Sequence, residues 1–262
     1  MTFNFEIAIP SFNRHKILPR KTLELLDKFL VPHERIRIFV KSPEELDKYL
    51  ETCGSDYNYE ITQQSGIMAT RNYLQIYYHE INQDFDGVLF IDDDITNLTE
   101  MGKPLSIPFL ELIDYFFDET LRLNGRLWAV NALSNPFFMA DKVTTNLKYC
   151  IGAFKGIILD RSKDTILCDI GHFEDFQFTC EYFIEDGLVV RFNKYGIETK
   201  YFELQGGICG SLGGMAERQK EMIENADYMI DRYGDMVKLK MKKWGADLKM
   251  NYTYKHCNSQ NV

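Results

Sequence analysis

The 262-residue sequence has no run of about 18 consecutive apolar residues, so no membrane-spanning helix is expected. Its opening, Met1-Thr2-Phe3-Asn4-Phe5-Glu6, lacks the basic start and long apolar segment of a secretory signal, which makes the cytoplasm, of a cell or of an infected host, the expected location. The six cysteines, Cys53, Cys150, Cys168, Cys180, Cys209 and Cys257, form no C-x-x-C pair and no zinc-type spacing. They read as reduced thiols rather than as a disulfide framework or a zinc site. Positive charge is in deficit, with 30 Lys and Arg against 39 Asp and Glu and a net charge of −9. That balance excludes a protein that coats nucleic acid by bulk electrostatics, while leaving room for a local basic surface. Also missing are the glycine-rich dinucleotide fingerprint after the first strand and the phosphate loop G-x-x-x-x-G-K-[ST], which turns the reading away from dehydrogenases and ATPases. With no repeat, linker or low-complexity stretch, one domain is expected.

What is present is a soluble globular composition, 45% apolar and 26% charged. Short apolar runs alternate with helical patterns. Phe5 to Ile9, Ile36 to Val40, Tyr59 to Thr62 and Val88 to Ile91 read as strands. Helices are expected from Arg20 to Leu30, from Pro43 to about Leu50 with Ser42 as N-cap, and from Gly66 onward. This β, α, β, α, β, α, β order builds a parallel sheet with helices on both faces. Further on, Ile107 to Leu123 reads as a helix and Leu127 to Asn131 as a strand. Tyr149 to Asp160 reads as a long strand whose glycines imply a bulge or a close approach by a ligand. Leu188 to Phe192 and Glu198 to Phe202 read as strands around a turn at Lys194-Tyr195-Gly196, and Met215 to Tyr233 as an amphipathic helix.

The chain is organised around Val88-Leu89-Phe90-Ile91-Asp92-Asp93-Asp94. Unpaired carboxylates are too costly to bury, so the three acids belong at the exposed end of the strand, where open α/β sheets bind ligands. Alternation along an extended chain turns Asp92 and Asp94 one way and Asp93 the other. Two hard oxygen ligands on one side suit Mg²⁺ or Mn²⁺ with substrate phosphates; an acidic turn is the plainer alternative. Pro10-Ser11-Phe12-Asn13-Arg14 presents donors at the end of the first strand, as a ligand loop or as an ordinary turn. Glu174 and Asp175 open a helix, where the dipole favours them; one of them acting as general base is the sharper reading.

The aromatic loop Asn135 to Met139 is either satellite core or a platform for a flat acceptor. Gln205 to Gly214 holds five glycines in ten residues, as a mobile lid or a backbone that approaches phosphate or sugar. Lys238, Lys240, Lys242, Lys243, Lys249 and Lys255 form a solvated lysine face or a phosphate-contacting one. His172 and His256 are conceivable additional metal ligands.

Taken in order, Ile7 to Arg14, Gly66 to Asn72, the Asp92-Asp93-Asp94 strand end and the Glu174-Asp175 helix start resemble a GT-A-fold glycosyltransferase of the family 2 type over roughly the first 200 residues. The resemblance implies a single α/β domain with a mostly parallel central sheet flanked by helices. Residues 1–100 would bind a nucleotide sugar, 101–214 would form the acceptor half, and 215–262 would add a C-terminal helix and basic tail. It implies a uridine diphosphate sugar as donor, with Pro10, Ser11, Asn13 and Arg14 around the nucleotide and Asp92 and Asp94 holding Mn²⁺ or Mg²⁺ on the diphosphate. Arg71, Asn72, Asp92 and Asp93 would lie along the donor, and Asp175, assisted by Glu174, would activate the acceptor.

The compact size and the Gly206 to Arg218 stretch look more loosely like the small phage and base-J-type transferases that glycosylate hydroxymethylated pyrimidines in DNA. On that likeness Gly213, Gly214 and Trp244 would contact the acceptor. A glycan acceptor, or a catalytically silent nucleotide-sugar-binding module, are the alternatives.

Overall fold

The computed structural model describes residues 3–199, 215–242 and 245–255. The first half is a regular alternation: β1 (Phe5–Pro10), α1 (Thr22–Lys28), β2 (Ile36–Val40), α2 (Pro43–Cys53), β3 (Asn58–Ile61), α3 (Ile67–Ile76) and β4 (Gly87–Ile91). Local chemistry accounts for the boundaries. Ser42 Oγ accepts from the Glu45 amide and Pro43 occupies the first helical position, so α2 begins where its sequence says it must.

Then come β5 (Ile95–Glu100), α4 (Phe109–Arg122), β6 (Leu127–Asn131), β7 (Val143–Thr144), β8 (Phe154–Ile158), α5 (Glu174–Asp186) and β9 (Val190–Thr199). After the undescribed residues 200–214 come α6 (Met215–Tyr233) and the hairpin β10 (Val237–Lys242) and β11 (Gly245–Met250).

One nine-stranded sheet runs in the order β3-β2-β1-β4-β8-β6-β9-β5, with β7 beside β9. Strands β3, β2, β1 and β4 are mutually parallel, and β6 and β9 run the same way, whereas β5, β7 and β8 run against them. The central sheet is therefore mostly parallel. Its two faces carry separate cores. Helices α1, α2 and α4 cover one through Leu23, Leu26, Tyr49, Leu112, Phe116 and Phe117. Helices α3, α5 and α6 and the hairpin cover the other through Leu74, Phe178, Phe183, Ala226, Met229 and Leu248. Burial on both faces is why these strands read as near-continuous apolar runs.

The expected long strand from Tyr149 to Asp160 is ordered as a strand only over Phe154–Ile158; residues 149–153 form a loop against α5. The two glycines there differ in kind. A Cβ on Gly156 would lie 2.1 to 2.3 Å from the indole of Trp128, so that glycine admits the neighbouring strand's largest side chain. Because Trp128 is fully buried and has nowhere to go, Gly156→Ala should destabilise the protein by about 3 kcal/mol. Urea unfolding at constant slope checks it; an unchanged midpoint would show that the core gives way there.

A second difference concerns residues 188–202. The two strands expected around a Lys194-Tyr195-Gly196 turn are one strand, β9, over its described length. Val130 pairs with Phe192 but Asn131 pairs with Gly196, so the intervening residues bulge instead of turning. Gly196 is required because a Cβ there would meet the Leu133 carbonyl at 2.3 Å. Strand β5, which polar Thr96, Asn97 and Thr99 keep from reading as apolar, exists through its pairing with β9.

Candidate active site

The topology brings six chain segments to one end of the sheet. Strands β1, β4 and β9 finish there, and β8, being antiparallel to β4, begins there. The amide of Asp92 bonds to the Ala153 carbonyl, closing the end of β4 onto the loop before β8. The first turns of α3 and α5 lie alongside, as shown by the contacts of Arg71 and Asp175 below.

Beyond Ile91 the chain turns rather than continuing extended, so the alternation expected for the three acids does not hold. Thr22 of α1 clamps the turn: its Oγ1 donates to the Asp92 carbonyl at 2.6 Å and accepts from the Ile95 amide at 3.0 Å. The three carboxylates consequently diverge. Asp92 reaches Arg71 of α3 at 2.5 Å. Asp93 accepts from Ser11 Oγ at 2.5 Å and from Arg14 Nη1 at 2.7 Å. Asp94 accepts from Thr199 Oγ1 at 2.9 Å and meets the same Arg14 nitrogen at 3.3 Å.

The expectation that all three stand exposed is corrected for Asp93, which is 3% exposed. Burial pushes its carboxyl up to about 6, against the opposing pull of Arg14 and Ser11. Both of its oxygens are engaged, which makes it the keystone of the β1 loop. Ser11 also bonds Tyr49 of α2, whose hydroxyl accepts from the Arg14 amide. Pro10 closes β1, and the exposed Asn13, at φ 55°, donates its amide to Glu45.

Asp92 keeps a third of its side chain exposed, and Asp94 about an eighth. The Asp94 carboxyl is raised first by burial and then by the charge of Asp92, so the two carboxylates sense one another across the turn. Among the described residues no group of three or more His, Cys, Asp or Glu side chains forms a ready metal cage. A pair of adjacent, incompletely neutralised carboxylates is nonetheless the donor set that Mg²⁺ and Mn²⁺ take when phosphate oxygens and waters complete the shell. Of the two histidines considered as additional ligands, His172 packs edge-on against Phe173, and His256 lies outside the described residues.

The second acidic centre faces the same place. Arg71, 3% exposed, bonds Asp92 through Nη2, whereas its Nε and Nη1 have no hydrogen-bond partner among the described residues. Asp175 adds negative charge near it, and Glu174 does so when ionised. A Cβ on Gly152 would lie 3.4 to 3.6 Å from Asp175, Glu174 and Arg71 together, so this glycine marks the point where all three converge. Asn72, expected beside the donor with Arg71, is occupied otherwise: its amide clasps both the carbonyl and the amide of Cys168, pinning that loop to α3.

The two α5 acids differ in what holds them. Asp175 accepts from the Tyr149 hydroxyl, the Phe176 amide and the Gly152 amide. Burial raises it, and these donors together with Lys155 oppose the rise. Glu174 is raised to about 8, first by burial and then by the charge of Asp175. Glu174 therefore favours its protonated form near neutrality, whereas the donors around Asp175 favour its ionised form against the push of burial.

Lys155, 1% exposed on β8, lies 4.1 Å from the centre of the Phe178 ring and is lowered to about 8 by burial and by Arg71. A single lysine inside the apolar run Ala153 to Leu159 was the available signal for it. Tyr149, Thr199 and Tyr49 carried no such signal. Gly213, Gly214 and Trp244, expected at the acceptor, lie outside the described residues.

Comparison with solved structures decides the fold. S. aureus TarS (residues 1–349) with UDP-GlcNAc superposes with a TM-score of 0.53 at 15% identity, over 87% of this chain and 67% of TarS. The chain has a GT-A fold. Glucosyl-3-phosphoglycerate synthase from Mycobacterium tuberculosis, in complex with Mn²⁺, UDP and glucosyl-3-phosphoglycerate, shares it with a TM-score of 0.51 at 11% identity, over 95% of this chain and 87% of that one.

The mannosyltransferase PcManGT from Pyrobaculum calidifontis, in complex with GDP-Man and Mn²⁺, shares the GT-A fold with a TM-score of 0.51 at 12% identity. That match covers 87% of this chain and 64% of PcManGT, so the chain spans about two thirds of both TarS and the mannosyltransferase. No protein-family model matches the sequence, and no curated protein sequence matches it. Among the described residues no helix is long and apolar enough to cross a membrane.

Proposed function

We propose that the protein is a metal-dependent glycosyltransferase that moves a sugar from a nucleoside diphosphate, most simply uridine diphosphate, to a hydroxyl acceptor. One observation carries the reading. At the carboxyl ends of the parallel strands, a buried arginine with two nitrogens unpartnered among the described residues stands by the strand-end carboxylate Asp92 and the helix-start pair Glu174 and Asp175. Two acidic centres flanking one cation suit a reaction that must neutralise a departing diphosphate on one side and take a proton from a nucleophile on the other.

In this assignment residues 1–100 carry the donor, with the Pro10, Ser11, Asn13 and Arg14 loop at the nucleotide. Asp92 and Asp94 would hold the divalent ion, which when bound supplies positive charge to the diphosphate. Arg71 offers donor oxygens the N–H groups of Nε and Nη1, and Asp93 fixes Ser11 and Arg14 in place. Asp175 accepts the acceptor's proton, and Glu174, protonated near neutrality, stands beside it without competing for that proton. The GT-A structures solved with UDP-GlcNAc, GDP-Man or UDP support the donor class.

For the acceptor, the hairpin favours an anionic polymer, and the hydroxymethylated pyrimidine of DNA is our reading. Its pairing puts Val237, Leu239 and Met241 opposite Met250, Leu248 and Ala246, and turns Lys238 and Lys249, facing one another, to the outer face with Lys240 and Lys242. Asp247 is the acid among them, paired to Lys242. Lysines placed so contact phosphates without reading sequence. Phe137 and Phe138, 85% and 60% exposed near the end of β6, offer rings on which a base can stack.

The test is release of nucleoside diphosphate from UDP-glucose, UDP-GlcNAc and GDP-mannose with Mn²⁺ or with chelator. Hydroxymethylcytosine-bearing DNA or a polysaccharide is offered in parallel. Metal-dependent release stimulated by the DNA is expected. Stimulation by the polysaccharide alone moves the acceptor to a glycan, and binding of donor without turnover on any acceptor leaves only a nucleotide-sugar-binding module.

A further inference from the structure

The loop before β8 is bonded to the N-terminal turns of α5 at several points. Cys150 donates its amide to Thr179 Oγ1 at 3.1 Å, and Thr179 Oγ1 donates to the Asp175 carbonyl at 2.7 Å. Tyr149 stacks on Phe176 with ring centres 4.4 Å apart, and its hydroxyl donates to Asp175 Oδ2 while the Phe176 amide donates to Oδ1. Behind the tyrosine stands Arg191 of β9, 8% exposed. Its Nη1 donates to the Tyr149 carbonyl, and its Nη2 donates to Asn131 Oδ1 at 2.7 Å.

The chain of contacts thus runs from two central strands, through a backbone carbonyl, to one carboxylate oxygen. A guanidinium buried to this degree with no carboxylate partner among the described residues is costly. Burial pulls its pKa down from the usual guanidinium value, so its place is explained by what it holds.

We propose that Tyr149, anchored by Arg191, is a positioning residue that fixes the orientation of the Asp175 carboxylate and keeps it ready to take the acceptor's proton. The proposal rests on Asp175 being the acceptor-activating base. A hydroxyl donating to a carboxylate stabilises its ionised form, so the bond also sets the pH range over which that base works. Other groups face Asp175 from every side: Glu174 beside it, Lys155 from β8, Arg71 from α3, Cys150 from the same loop and Cys168 from the loop that Asn72 pins. Tyr149 is the one among them that bonds the carboxylate through a removable hydroxyl without changing the net charge of the cluster.

The experiment compares wild type with Tyr149→Phe, which keeps the ring on Phe176 and removes the oxygen. Donor turnover is followed from pH 5 to 9 with UDP-glucose, UDP-GlcNAc and GDP-mannose in Mn²⁺. Loss of the bond raises the carboxyl, so less of it is ionised at low pH. The rate at the acid end should fall about tenfold and recover toward wild type as the pH rises. A uniform fall at all pH values, or an unmoved profile, overturns the proposal. In parallel, the Asp175 side chain is titrated by ¹³C carboxyl NMR, assigned by its loss in Asp175→Asn. An upward displacement of its midpoint in Tyr149→Phe is expected, and an unchanged midpoint overturns the proposal even if no donor is turned over. Absence of turnover by wild type on every donor with a displaced midpoint instead counts against the transferase reading alone.

Discussion

Asp175→Asn is expected to lower the rate of sugar transfer by about 10² to 10⁴-fold while leaving donor affinity within a factor of a few. Asparagine fills the same space at the start of α5, and its one amide oxygen can still accept from Phe176, while its NH2 donates to the Tyr149 oxygen in a reversed bond, so the loop before β8 keeps its contact with α5. What it loses is the ability to take a proton. The contrast with its neighbour sharpens the expectation. Glu174 is raised to about 8 and is mostly protonated at neutral pH, so Glu174→Gln reproduces the form already present and should cost less than about tenfold. The pair is measured by single-turnover transfer with pre-bound donor, which separates the chemical step from binding. A large loss in Glu174→Gln beside a small one in Asp175→Asn would reverse the roles, and small losses in both would remove general-base chemistry from this helix.

The second large effect is expected at the strand-end acids, where three adjacent aspartates should behave in two different ways. Asp94→Asn removes one of the two mutually repelling carboxylates and should cut metal-dependent turnover about a hundredfold or more, with the unfolding midpoint little changed. Asp93→Asn instead strikes a buried carboxylate bonded to Ser11 and Arg14. It should cost about 3 kcal/mol of stability, because Arg14 loses its closest counter-charge inside the protein. Manganese binding followed by electron paramagnetic resonance in the presence of UDP, alongside urea unfolding, checks both. If Asp94→Asn binds manganese as wild type does, the ion is held elsewhere. If Asp93→Asn alone loses it, the assignment of the two aspartates exchanges.

How far the sequence could be read follows from what each signal depends on. Strands β1, β2, β4 and β6 were legible within a residue at each end because each is a short, largely apolar run, with β1 closed by a proline and β4 by an acid. α2 was legible from its Ser42-Pro43 start. Strand β5 was not, because its order comes from pairing with β9, a partner about a hundred residues away. The Lys194-Tyr195-Gly196 turn was misread for a related reason. Glycine served a close approach to the Leu133 carbonyl, which a one-dimensional pattern cannot distinguish from a reversal.

At the site the division is similar. The residue types and their order, an acid triplet closing a buried strand and an acid pair opening a helix, follow from the cost of burying charge and from the helix dipole, and both are local. The sequence by itself therefore determined the parallel half of the sheet and the end at which the acids gather. Only the tertiary structure decided which partners hold each carboxylate. That choice rests on contacts across the chain: Thr22 bending the strand end so that Asp92, Asp93 and Asp94 diverge, Arg14 and Ser11 enclosing Asp93, and Tyr149 reaching Asp175 but not Glu174. Each depends on partners 26 to 82 residues apart, whose proximity is set by which strands pair and not by any spacing along the chain.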